Sequence, residues 1–123
     1  MNAALWALQL ILAIMFMMAG AMKLMKTKVE LAERMGWVED FSQGTIRLIG
    51  AAEVMGAIGL ILPGLTGIAP MLTPLAASGL AVVAIGAMVV HLRRREYPLA
   101  LMGMMLSAMS LFVAWGRFGP EAF

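Results

Sequence analysis

The amino-acid sequence predicts an all-α fold, an integral membrane four-helix bundle with a short interfacial helix between spans one and two. Hydrophobic residues make up 63% of the 123 residues and charged residues only 13%, which is more apolar than a soluble domain of this length can hide. The apolar residues also form four stretches long enough to cross a hydrocarbon layer of about 30 Å as helices. Little polar sequence is left over, so we expect a single transmembrane domain over residues 1–123.

Charged residues and prolines set the limits of the four stretches. Pro63-Gly64 is expected to end the second span, because proline removes a backbone donor and glycine frees the chain. Pro74 and Pro98 are at helix-starting positions, where the missing donor does no harm. Lysines follow the first stretch rather than precede it, which argues against a cleaved signal peptide. The predicted spans run over about residues 3–22, 45–62, 74–92 and 98–115.

The segment from Thr27 to Gly44 is of mixed charge, unlike the spans on either side of it. Its apolar residues recur at near-helical spacing, which indicates a short interfacial helix. Trp37 and Phe41 suit the headgroup level of a bilayer, where aromatic rings bury a face and keep a polar edge wet. A solvated loop with one or two helical turns is the alternative interpretation.

The basic residues predict the orientation of the chain. Only Arg117 lies beyond the fourth span, and the other eight of the nine lysines and arginines fall in the first and third connections. Short basic connections remain in the cytoplasm, so we expect both termini and the connection between spans two and three on the outside. The eight residues are Lys23, Lys26, Lys28, Arg34, Arg47, Arg93, Arg94 and Arg95.

Glu53 is the strongest candidate for a site, because it lies within the apolar run from Leu48 to Leu60. A carboxylate at that depth is costly in hydrocarbon and persists where it has a partner or a function. Lys23 closes span one, Arg47 opens span two and His91 closes span three, so antiparallel packing places all four side chains at a similar depth. Arg47 is six residues from Glu53 and does not share its helix face tightly, which favours Lys23 or His91 as the direct contact.

This predicted polar cluster allows two interpretations. It is either a site for a headgroup, a quinone or a proton, or an interhelical clamp that fixes the register of the bundle. The pattern of residues does not choose between them.

Several other chemistries find little support in the sequence. The chain has no cysteine and therefore no thiol chemistry of its own. Its fourteen methionines suggest Cu(I), but a single histidine leaves the ligand set thin, and methionine also serves as apolar filler, so no metal site is predicted. We find no phosphate loop, nucleophile motif or paired carboxylates, and assign no catalytic residue. The basic connections suit anionic lipid headgroups rather than nucleic acid, because they flank the spans.

A set of ordered motifs extends over almost the whole chain. The motifs are Gly20-x-x-Lys23-Leu24, Trp37-Val38-Glu39-Asp40-Phe41, Arg47-x-x-Gly50-x-x-Glu53-x-x-Gly56, Leu62-Pro63, and His91 before a basic turn. Together they resemble the DoxX-like family of small bacterial membrane proteins. The resemblance implies a four-helix membrane bundle in the bacterial inner (cytoplasmic) membrane. It also implies a link to subunits of quinone-linked oxidoreductases, to membrane-anchored redox complexes and to a receptor-assembly chaperone. Lys23, Arg47, Glu53 and His91 are the motif positions carried over, without assigned roles.

Three functional hypotheses follow. The first is a non-catalytic binding or accessory subunit that holds a quinone or lipid headgroup at the cluster around Glu53 and serves a redox or other membrane-protein partner. The second is an assembly or chaperone factor in which the cluster is a structural clamp. The third, a proton-coupled small transporter, is disfavoured because the charges of the connections select one orientation. Small residues in the spans are also consistent with a homodimer.

Overall fold

The computed structural model of the protein describes residues 1–33 and 35–123. Arg34, one of the eight basic residues behind the predicted orientation, lies outside the described residues. The described chain is helical throughout its regular structure, which confirms the all-α prediction, and four of its helices are long and apolar enough to cross a membrane. The elements are α1 (Asn2–Met25), α2 (Lys28–Ala32), the 3-10 helix η1 (Gly36–Asp40), α3 (Gln43–Thr66), α4 (Leu72–Arg93) and α5 (Tyr97–Phe118).

The long helices extend beyond the predicted spans, most clearly at Pro63. Helix α3 runs through this proline to Thr66 and is capped by Gly67, which has a left-handed φ of 72°. Proline cannot donate to the carbonyl of residue 59, so that oxygen loses its usual partner. The hydroxyl of Thr73 at the start of α4 donates to the Gly59 carbonyl oxygen over 2.9 Å instead. The helix therefore continues because a side chain from the next helix replaces the missing backbone donor.

The four long helices pack in a ring. Helix α1 packs most extensively on α3 and α4 on α5, while α3 with α4 and α1 with α5 complete the ring. The buried positions of α1 recur every three or four residues, as a helix with one inward face requires. They are Leu5, Gln9, Leu12, Phe16, Gly20 and Lys23.

Helices α1 and α3 approach most closely at two glycines. A Cβ atom at Gly20 would lie 2.6 Å from the carbonyl oxygen of Gly50, and a Cβ at Gly50 would lie 2.8 Å from the Cβ of Lys23. Only glycine leaves room for backbones at this separation. The close approach brings the end of α1 directly against the first half of α3.

The segment between α1 and α3 folds over this end of the bundle. Thr27 and Glu30 form a capping box that starts α2, and the backbone N–H of Lys28 donates to Gln43 over 2.5 Å. Below the segment, a small core of Leu31, Val38 and Ile46 is buried. Both α2 and η1 are only five residues long, so the predicted interfacial helix is divided into two short pieces.

Candidate functional site

Lys23 and Glu53 form a buried ion pair between α1 and α3. The Nζ atom of Lys23 donates to Oε1 of Glu53 over 2.6 Å, and the two residues are only 6% and 4% exposed. Trp37 of η1 covers the pair, with its ring centroid 5.6 Å from Lys23 Nζ, within the range of a cation–π contact. Each charge thus has an opposite charge within hydrogen-bond distance, which burial in a low-dielectric interior demands.

Glu53 faces inward because it occupies the buried stripe of α3. The buried positions of this helix follow the three- and four-residue spacing of one face, so its side chain points at α1 rather than at lipid. The stripe comprises Ile46, Gly50, Glu53, Ala57, Leu60 and Pro63.

The other two residues of the predicted cluster have different surroundings. Arg47 is exposed and makes no hydrogen bond or ion pair with any residue that the structure describes. His91 is partly buried, and its Nδ1 lies 2.9 Å from Oε1 of Glu96 in the connection between α4 and α5. The structure therefore brings together Lys23 and Glu53, and it places Arg47 and His91 outside that pair.

His91 belongs to a chain of side-chain contacts that joins the α4–α5 connection to η1. Arg94 donates from Nη1 to Oδ2 of Asp40 over 3.0 Å. Its Nε lies 3.3 Å from Oε1 of Glu96 but lacks hydrogen-bond geometry, so Glu96 acts there as a nearby charge rather than as an acceptor. The order of contacts is His91, Glu96, Arg94, Asp40.

These contacts shift the titration of two groups outside the spans. The hydrogen bond with His91, together with the charge of Arg94, lowers the pKa of the Glu96 carboxyl below its ordinary value. The hydrogen bond to Asp40 raises the pKa of the Arg94 guanidinium. Both shifts favour the charged forms of Glu96 and Arg94.

Two clefts on the surface of the described chain lie away from Lys23 and Glu53, neither of which lines them. The first, of about 320 Å³, lies between η1 and the end of α4. The second, of about 240 Å³, is almost wholly apolar and lies between α4 and α5. The first is lined by Asp40, Phe41, Val90, Arg93 and Arg94, and the second by Met88, Leu92, Tyr97, Ala100, Leu101 and Met104.

A second buried polar network lies at the opposite end of the bundle. Arg117 of α5 is only 2% exposed and donates from Nε to Oε1 of Gln9 over 2.8 Å. Its Nη1 donates to Oδ1 of Asn2 over 2.7 Å and to the carbonyl oxygen of Glu121 over 2.9 Å. Gln9 in turn donates to the carbonyl oxygen of Leu60 over 2.6 Å, which connects α5 through α1 to α3.

Sequence reasoning missed this network, although one signal for it was present. Gln9 is the strongly polar residue of the first span, and it occupies the same helix face as Leu5 and Leu12. A buried amide needs a hydrogen-bond partner. Arg117 is the one lysine or arginine that the sequence places on the same side of the membrane as the two termini.

The fold and the buried ion pair define a membrane protein with four apolar helices, and comparison with known proteins agrees. The sequence model of the DoxX-like family matches residues 7–113, most of the chain. The chain therefore belongs to the DoxX-like family, and the resemblance inferred from the motifs is confirmed. Neither the curated proteins nor the solved structures contain a significant match.

Proposed function

We propose that this protein is a non-catalytic accessory factor of the membrane, a four-helix scaffold that supports the assembly of other membrane components. In this role the polar pair of Lys23 and Glu53 is a clamp that holds α1 against α3. The proposal corresponds to the second of the three hypotheses drawn from the sequence.

The observation that carries the proposal is the closure of the ion pair. Lys23 and Glu53 contact each other at 2.6 Å and are almost fully buried. A carboxylate that served as a proton donor or ligand would need an approach for its substrate. A clamp needs no such approach. The close packing of Gly20 against Gly50 beside the pair also favours a clamp.

A quinone or lipid headgroup held by the same pair is the second candidate. What favours it is the position of Trp37 over Lys23, because a flat aromatic face beside a cation suits the head of an amphiphile. Binding would require the ion pair to open. Under this candidate, Glu53→Gln weakens quinone or headgroup binding while the bundle stays folded.

Native mass spectrometry of the full chain in mild detergent distinguishes the two candidates. The variant Lys23→Met with Glu53→Leu replaces the pair by apolar groups of similar size, a change that is often neutral in a protein interior when both charges leave together. If the pair is a clamp, we expect this variant to retain the same lipids, quinones and subunits as the natural chain.

The outcome against the clamp is a folded double variant that has lost a quinone or lipid retained by the natural chain. Arg47→Met is the matched control, since it removes a charge from the same helix at an exposed position.

We also propose that the ends carrying Lys23 and Arg94 face the cytoplasm of a bacterial inner membrane and that both termini face outward. The absence of cysteine from the sequence makes a direct test simple. Ile68→Cys in the α3–α4 connection should react with a membrane-impermeant maleimide in intact cells. Glu39→Cys in η1 should react only after permeabilisation, and the reverse pattern contradicts the proposed orientation.

A further inference from the structure

The cleft between η1 and the end of α4 is lined by charged and apolar side chains together. The charged ones are Arg93, Arg94 and the carboxylate of Asp40, and the apolar ones are Phe41 and Val90. Its volume of about 320 Å³ is enough for a small polar head and the first part of an attached chain. The lining therefore combines a net positive charge with apolar surface, as one end of an anionic amphiphile requires.

The two arginines contribute differently. Arg94 is held in place by Asp40 at 3.0 Å and by the charge of Glu96 at 3.3 Å, so its guanidinium is oriented before a ligand arrives. Arg93 is exposed and has no hydrogen bond or ion pair within the described residues, which leaves its donors available. A guanidinium presents its N–H groups as a planar fork that matches the oxygens of a phosphate.

We propose that this cleft binds the phosphate of an anionic phospholipid. Arg93 donates to the phosphate, Arg94 adds a fixed positive charge, and Phe41 with Val90 contacts the adjoining methylene groups. These two apolar side chains are the reason for choosing a lipid, since a free phosphate would gain nothing from contact with them. The site is independent of the proposed clamp, because neither Lys23 nor Glu53 lines it.

Asp40 sets the affinity of the site. Its carboxylate is exposed, lines the cleft and accepts the hydrogen bond from Arg94. It therefore repels a phosphate and competes with it for the same guanidinium. Removal of the Asp40 charge should therefore strengthen phosphate binding. If Asp40 served only to stabilise the fold, its removal would not strengthen binding.

The test titrates the purified full chain in detergent with short-chain phosphatidylglycerol, phosphatidylcholine of equal chain length, and glycerol phosphate. We expect phosphatidylglycerol to bind about tenfold more tightly than either other probe, and Arg93→Gln to weaken it by about tenfold, the size of one charge-assisted hydrogen bond. Asp40→Asn should tighten binding by about threefold through lost repulsion.

Arg95→Asn is the matched control. It removes an equal charge from the same connection, does not line the cleft, and has a positive φ of 59° that asparagine tolerates. We expect it to change the affinity by less than about twofold, because exposed charges outside the cleft act only through screened solvent.

Four results would overturn the site. They are an equal loss in Arg95→Asn and Arg93→Gln, equal binding of the two phospholipids, equal binding of glycerol phosphate, and weaker binding by Asp40→Asn. The variant Lys23→Met with Glu53→Leu should keep the natural affinity for phosphatidylglycerol. Failure of this site and failure of the clamp are thereby separate outcomes.

Discussion

At the scale of single residues, the bundle accommodates two buried cations in different ways. Lys23 meets a carboxylate, Glu53, in one ion pair. Arg117 meets neutral oxygens from Gln9 and Asn2 instead, and the ring centroid of Phe123 lies 4.1 Å from its guanidinium carbon. Neutral acceptors still stabilise a buried guanidinium, because hydrogen bonds to a charged donor are stronger than those between neutral groups.

The first prediction concerns Arg117. Arg117→Met should lower the free energy of unfolding by about 2–4 kcal/mol, because it removes charge-assisted hydrogen bonds and leaves Oε1 of Gln9 buried without a donor. Chemical unfolding in mixed detergent micelles measures the change. Arg47→Met, at an exposed position, should stay within about 0.5 kcal/mol.

An unchanged or increased stability in Arg117→Met would contradict this account of the network. Its Nη2 is buried without a hydrogen-bond partner among the described residues, so a net cost of burying the arginine is the specific alternative.

At the scale of helices, contacts from neighbouring elements decide where α3 ends and how closely it approaches α1. The proline at position 63 predicts a helix end there, since its ring and missing N–H disturb a helix interior. The donor that removes this penalty is Thr73, ten residues further along the chain. A local pattern cannot reveal such a contact, because it depends on how α4 packs against α3.

The second prediction tests that contact. Thr73→Val should lower the free energy of unfolding by about 1 kcal/mol, because the Gly59 carbonyl then has no donor. The loss should shrink in a Pro63→Ala background, where the backbone N–H of residue 63 supplies the bond.

Additive effects of Thr73→Val and Pro63→Ala would contradict the compensation. Ser78→Ala is a suitable control. The hydroxyl of Ser78 donates to the carbonyl oxygen of Pro74 within its own helix, and removal of this hydroxyl should have little effect on stability.

The third prediction concerns the approach of α1 to α3. Gly20→Ala places a Cβ 2.6 Å from the Gly50 carbonyl oxygen, which is backbone and cannot turn away, so the helices must separate. We expect thermal unfolding in detergent to show a loss of about 1–3 kcal/mol, the usual cost of overpacking. Gly79→Ala has open space around the new atom and should be neutral or slightly stabilising.

If Gly20→Ala and Gly79→Ala behave alike, the close approach does not hold the two helices. The comparison is sensitive because both substitutions add the same methyl group within a long helix.

At the scale of the whole molecule, composition and periodicity were sufficient for the fold. Four apolar stretches of helical length leave few alternatives in a membrane, because every backbone group must be satisfied within its own segment. For the contact of Glu53, the sequence favoured Lys23 or His91 and left the choice between them open. The burial of Arg117 was not foreseeable, because a cation near a span end is usually free to reach the interface.

The positions of Arg47 and His91 show a second limit of the sequence. The sequence predicted a similar membrane depth for both residues and Glu53, yet depth says nothing about the direction of a side chain. Arg47 is on the exposed face of α3. His91, near the end of α4, contacts Glu96 in the connection that follows this helix. The packing of each helix against its neighbours determines which of its faces turns inward. The limits of a predicted span do not contain this information.

The measurement that tests the central claim most directly is a double-mutant cycle on Lys23 and Glu53, followed by unfolding in mixed detergent micelles. Each single variant, Lys23→Met or Glu53→Leu, leaves one buried charge without its partner and should cost about 3–5 kcal/mol. The double variant should recover most of that loss, since both charges are gone. Single variants that change stability by less than about 0.5 kcal/mol, or losses that simply add in the double variant, would contradict a buried clamp between α1 and α3.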